Sequence, residues 1–193
     1  MKAVLSFVAL LSPALAVSSS LPSGGAVTSC AAADRVLIET RNVTVAGHEI
    51  QVSTKACSGN INIISSRSFK KRQTDVCGQT ADFECAVGSV TPVIADCASL
   101  QAALPDFIAT QPPFFVLAPQ TVEEVSLRTC LFAWINNNAV GGASLEGCWS
   151  DVERIGGAVP LPGCFGVQGF NAQIAFPSLA MFEEAWVFEA TGV

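Results

Sequence analysis

Thr91-Pro92-Val93-Ile94-Ala95-Asp96-Cys97-Ala98-Ser99-Leu100-Gln101-Ala102-Ala103-Leu104-Pro105 is the stretch from which the fold is read. Thr91 suits an N-cap, and Pro92 suits the first helical position, where a missing N–H is no loss. Val93/Ile94, Cys97, Leu100/Gln101 and Leu104 then recur at helical spacing until Pro105, which lacks a donor and closes the pattern. The expectation is an amphipathic helix pinned by a cysteine. The next segments differ in character. Phe114 to Leu117, Val122 to Leu127 and Thr129 to Ile135 are short runs rich in β-branched and aromatic residues, and they read as strands.

Farther along, Asn136-Asn137-Asn138 and Gly141-Gly142 mark a long turn. Leu145, Cys148/Trp149, Val152 and Ile155 fall at helical spacing, with Ser144 as cap and Gly156-Gly157 as stop; Ser150-x-x-Glu153 would cap a shorter helix instead. Phe165 to Val167 and Ala172 to Phe176 read as strands, while Ser178 to Glu189 fits either helix or strand. Before Thr91, the β-prone runs Val36 to Ile38, Val43 to Val45 and Ile50 to Val52 suggest a small hairpin unit turning at Ala46-Gly47. Mixed helices and strands with long connections point to an α+β sandwich.

The chain has 193 residues, of which 50% are hydrophobic and only 13% charged, so a membrane protein has to be considered. Lys2, the apolar run Ala3 to Leu11, and Pro13 before Ala14-Leu15-Ala16 form a secretory signal pattern over residues 1–16, with cleavage expected after Ala16. Ile155 to Phe182 has no charge, but three prolines and five glycines interrupt it, and a lipid-facing helix would leave so broken a backbone unsatisfied. The expected product is secreted and extracellular, without membrane insertion.

Charge divides the rest. Residues 17–72 carry seven basic side chains against three acidic ones, giving +4; residues 73–193 carry two against thirteen, giving -11. The switch falls at Lys70-Lys71-Arg72, which ends the polar stretch Ser65 to Ser68 and Phe69. A dibasic cleavage after Lys71-Arg72 would separate a basic pro-segment or small hairpin unit, residues 17–72, from an acidic cysteine-rich domain, residues 73–193. The alternative is a solvated basic loop. Asn42-Val43-Thr44 is a glycosylation sequon, expected on a surface loop.

Cys30, Cys57, Cys77, Cys85, Cys97, Cys130, Cys148 and Cys164 all follow the signal pattern, and an even count in a secreted chain reads as a disulfide framework. The dibasic site divides them two and six. Each portion has enough cysteines to close its own bridges, and a bridge across the site would give a two-chain protein. Intervals of 7, 11, 32, 17 and 15 residues after Cys77 include no C-x2-C knuckle, which argues against zinc. Hydrophobins need adjacent Cys-Cys pairs, and the chain has none.

The only histidine, His48, precedes the dibasic site, so a domain beginning at Gln73 has no His for triad catalysis or for a metal. Neither phosphate-loop pattern occurs. The acidic pairs Glu123/Glu124, Asp151/Glu153 and Glu183/Glu184 are the residues a glycoside hydrolase would need, yet neighbours on a strand face opposite ways and Asp151 and Glu153 diverge on a helix. No catalytic residue, cofactor or metal is expected. The -11 charge argues against nucleic acid and leaves an extracellular protein or glycan as partner. Trp134, Trp149 and Trp186 would serve a glycan only if exposed, and the first two are expected in the core.

Cys77-Gly78, Phe83, Pro92, Asp96-Cys97-x-x-Leu100, Phe115-Val116-Leu117 and Thr129-Cys130-Leu131-Phe132 together resemble the small secreted cysteine-rich effectors of fungi related to necrosis-inducing proteins and smut killer toxins. The likeness covers about Cys77 to Ile155, with Asp151-Val152-x-x-Ile155 at the place of a second helix. It implies an α+β fold, a disulfide-stabilised two-layer sandwich of an antiparallel sheet with two or three short helices, that binds a host or competitor target without catalysis. Thr129 stands where that family has Gly, and Cys85, Cys148 and Cys164 need not match its framework. The calcium-channel activity of such toxins depends on basic residues, and no Lys follows Lys71.

Three functions follow as expectations: an effector-like or toxin-like binding protein, a carboxylate-dependent hydrolase of cell-wall glycan, and a structural wall protein. For the processed form, denaturing mass spectrometry of the secreted protein should give a chain beginning at Gln73 that gains six protons on reduction. A single chain from Val17 gaining eight would exclude the cut.

Overall fold

The computed structural model describes Cys30 and residues 34–58, 73–88, 90–139, 142–158, 164–165, 170–178 and 186–193. Ala16, Lys71, Arg72, Glu183 and Glu184 lie outside the described residues. Among these described residues, ten strands and two helices follow in the order β1 (Arg35–Val45), β2 (His48–Cys57), β3 (Gln73–Asp75), β4 (Ala81–Ala86), α1 (Ile94–Ala109), β5 (Phe114–Leu117), β6 (Thr121–Leu127), β7 (Cys130–Asn136), β8 (Ser144–Cys148), α2 (Trp149–Ala158), β9 (Ala172–Pro177) and β10 (Trp186–Gly192). A seven-stranded sheet, β1-β2-β6-β7-β10-β9-β4, is antiparallel throughout. A three-stranded sheet has the order β3-β8-β5, with β3 parallel to β8. The molecule is therefore mostly sheet, with two helices and four disulfides.

The three upstream β-prone runs become two long strands. Ala46 and Gly47 have φ of 49° and 78°, the left-handed pair that matches the twist of a tight hairpin. The hairpin is built into the large sheet: β2 lies between β1 and β6, and its Ile50 and Val52 belong to the main core. Asn42, expected on a loop, is an exposed residue of β1, and its amide donates to Glu49 Oε1 at 2.6 Å.

The first helix differs from its expected bounds at both ends. Thr91 is not the cap; its hydroxyl accepts from Asn171 Nδ2 at 3.2 Å, and the helix starts after Val93. Pro105 does not end the helix, which runs on to Ala109. The last turn buries Phe107, whose ring meets the edge of Trp149 with centroids 5.3 Å apart, and that burial outweighs the bond lost at proline.

The second helix starts at Trp149, because Ser144–Cys148 is strand β8, paired on its two sides with β3 and β5. It passes through Gly156-Gly157 instead of stopping there. Gly156 is needed for close packing: a Cβ there would lie 2.8 Å from the Phe132 ring. Phe165 lies in a turn and not in the expected strand, while Gly166 and Val167 lie outside the described residues. The ambiguous segment ends as strand β10 from Trp186.

The main core joins the inner face of the large sheet to both helices and the small sheet through Leu104, Phe107, Leu117, Phe132, Leu145 and Trp149. A second cluster on the outer face contains Val122, Leu131, Ala133 and Ile135 with the Cys30–Cys57 bridge. The other bridges are Cys77–Cys148, Cys85–Cys164 and Cys97–Cys130. Cys97–Cys130 ties α1 to β7 at a fully buried position. Replacing both of its cysteines by alanine should cost about 2–5 kcal/mol of stability, read from denaturant unfolding; a loss below the uncertainty of that measurement would show the helix held by packing alone.

Candidate binding surface

Among the described residues, the acidic side chains singled out in the sequence do not meet in one site. Glu123 and Glu124 sit on opposite faces of β6. Glu124, with a side chain 3% exposed, receives Arg35 Nη1 at 3.1 Å and Lys55 Nζ at 2.6 Å. Glu123 accepts from the Thr54 hydroxyl at 2.7 Å. Burial pushes its carboxyl up to about 7, against the opposing effects of that hydrogen bond and of Arg41.

Asp151 is buried and structural. Its Oδ2 accepts from the backbone N–H of Gly78 at 2.7 Å and its Oδ1 from Arg154, holding the turn after Cys77 against α2. Cys77, Cys148 and Asp151 bring three potential ligand atoms within 4.8 Å, but the two sulfurs are bonded to each other and have no thiolate to offer. Trp134, Trp149 and Trp186 are all buried, so none presents a face to a sugar. His48 is half-buried at the hairpin turn, far along the chain from these groups.

Several exposed apolar side chains fall on the connection between β4 and α1. No charged residue occurs between Glu84 and Asp96, and within that interval Val87, Val90, Val93 and Ile94 are exposed, Val87 by 77% and Val93 by 53%. The connection that carries them is fastened at four points. Gly88 N–H donates to Asn171 Oδ1, Gly192 N–H to the Val90 carbonyl, Asn171 Nδ2 to the Thr91 hydroxyl, and Val93 N–H to the Thr129 hydroxyl. These partners come from the start of β9, the end of β10 and the β6–β7 turn, which the antiparallel register brings to one end of the large sheet. Exposed Phe170 and Val193 adjoin the same anchors, beside Asn171 and Gly192.

Asp96 braces this end from within. Its carboxylate accepts from the Thr129 hydroxyl at 2.7 Å and from Arg128 Nη1 at 3.3 Å. The Thr129 hydrogen bond is the main influence holding its carboxyl below the usual range, with Arg128 adding to it against the effect of burial. Arg128 itself has φ of 53°, a left-handed conformation stabilised at the tight β6–β7 turn. The result is an apolar rim with an ion pair at its margin, on backbone that the surrounding bonds hold in place. The sequence reading set Val93 and Ile94 on the apolar stripe of the helix and so missed the rim, although the charge gap was visible.

Among the described residues, no helix is long and apolar enough to cross a membrane. In comparisons with known proteins, the chain matches no family model and no curated sequence.

Glu123 gives a pH dependence with a definite sign. Its folded-state value, about 7, exceeds the ordinary 4.5, so the folded state holds more protons in that window and loses stability as pH rises through it. The melting temperature should fall between pH 4.5 and 7, and Glu123→Gln should flatten that fall. An unchanged slope in the variant would assign the titration to another group.

Proposed function

We propose that this is a secreted, effector-like or toxin-like protein that binds an extracellular protein target through the Val87–Ile94 rim and performs no catalysis. One observation carries the reading: a charge-free connection displays four exposed aliphatic side chains while its backbone is bonded to three neighbouring segments. A soluble domain tolerates scattered apolar exposure, but a clustered apolar surface marks an interaction site. Rigid presentation lowers the ordering cost of binding.

The resemblance to fungal cysteine-rich effectors gives the same direction, and four disulfides suit an extracellular life. The two-layer sandwich is retained as the frame, with helices and the small sheet together forming the layer against the large sheet. Processing after Arg72 and glycosylation of Asn42 belong to the same proposal. The separation of Glu123 and Glu124 on opposite faces of β6, and the use of Asp151 as a structural acceptor, rank binding above glycan hydrolysis. Burial of the three indoles ranks a protein target above a carbohydrate one.

The test is a photo-crosslinker placed at position 93 together with the double variant Val87→Asp/Val93→Asp. The first should capture an extracellular protein from intact target cells. The second should weaken cell binding by at least about tenfold, the usual scale for losing central apolar contacts, with its melting temperature kept. Undiminished binding of the double variant would move the site elsewhere, and release of reducing sugar from wall glycan would replace binding by hydrolysis.

A further inference from the structure

We propose that the β1–β2 hairpin is a non-covalent subunit: once the chain is cut at Lys70-Lys71-Arg72, residues before the cut stay docked on residues 73–193. The first observation is the disulfide partition. Cys30–Cys57 closes wholly before the cut, the three remaining bridges close wholly after it, and no cysteine is free to join the two parts. A cut therefore leaves two chains with no covalent link.

The second observation is what holds them. Residues Gln51 to Ala56 of β2 pair in register with Ser126 to Thr121 of β6, so the hairpin supplies a strand to the large sheet and not a cover over it. Ile50 and Val52 sit in the main core. Across the outer face, Arg35 reaches Glu124 Oε1 on β6 at 3.1 Å and Glu189 Oε2 on β10 at 2.7 Å, its side chain only 2% exposed. Ala133 on β7 is the register partner of both glutamates, and its small side chain leaves room for the guanidinium between them. Arg35 Nε also donates to the Cys30 carbonyl at 3.1 Å, fastening the bridge end of the hairpin.

Loss of the hairpin would strip Glu124 and Glu189 of their cations and bare β6 as an unpaired edge. Both consequences are costly. The hairpin thus acts as a retained partner chain.

This inference rests on the processing reading, and the experiment separates the two. Purified full-length protein is treated with a kexin-type endoprotease; if the bond resists, a variant with a site-specific protease sequence in place of Ser66–Arg72 is cut instead. Resistance of the natural site overturns the processing reading alone. After cutting, native mass spectrometry should show both chains in one particle that separates in denaturant without reductant. Free residues 73–193 under native conditions would overturn docking. In the cut form Arg35→Met should raise the dissociation rate at least tenfold, while uncut Arg35→Met keeps its buried-tryptophan fluorescence. Equal rates for cut wild type and cut Arg35→Met would overturn the role given to the arginine; loss of fold in the uncut variant transfers that test to Lys55→Met, at the partly exposed second cation on Glu124.

Discussion

Arg35 between Glu124 and Glu189 is the contact on which the arrangement of the outer sheet face depends. An arginine taken out of water is expensive, and a pair of this kind is weak grounds for net stability, but removing one partner leaves an uncompensated buried charge. That asymmetry makes the contact a strong specifier of register. A shift of β2 by one residue on β6 would carry Lys55 and Ser53 to the other face and leave Glu124 without Lys55 Nζ at 2.6 Å and the Ser53 hydroxyl at 3.3 Å. The hairpin has one acceptable register because its polar groups as well as its apolar ones must arrive on the correct side.

The inner face is held by different means. Phe115 lies 4.7 Å from Trp149 and 6.0 Å from Trp134, so rings from β5, α2 and β7 join the small sheet and a helix to the large sheet. Gly147 lies beneath the Phe115 ring, where a Cβ would approach to 2.6 Å, and Gly156 gives Phe132 similar room. Two of the disulfides fasten short or edge strands. Cys77–Cys148 fixes the short parallel strand β3 beside the start of α2, and Cys85–Cys164 secures edge strand β4. Edge strands lose pairing on one side, so a covalent tie there has more effect than another core contact.

Much of this was legible in the chain. The strands Phe114 to Leu117, Val122 to Leu127 and Thr129 to Ile135, the helix carrying Cys97, and burial of Trp134 and Trp149 all follow from local pattern. The failures share a cause: local signals were overridden by tertiary partners. Pro105 stayed inside a helix because Phe107 had Trp149 to meet, and Thr91 lies two residues before the cap position Val93, where its hydroxyl accepts from Asn171. Leu145 and Cys148 looked helical by spacing but paired with β3 and β5 instead, a long-range choice that no window of sequence contains.

The candidate surface was the least legible part, for a related reason. A valine is classed as core by its chemistry, and only topology decides whether the core reaches it. Val90 and Val93 flank the point where the chain leaves β4 for α1, and Gly192 approaches so closely that a Cβ there would sit 2.7 Å from the Val90 carbonyl. The backbone at this end is packed to contact while the side chains turn outward. A connection free to relax would fold those side chains under; one bonded to β9, β10 and the β6–β7 turn holds them exposed. Exposure here goes with a backbone held by its neighbours, not with a segment left loose at the edge of the core.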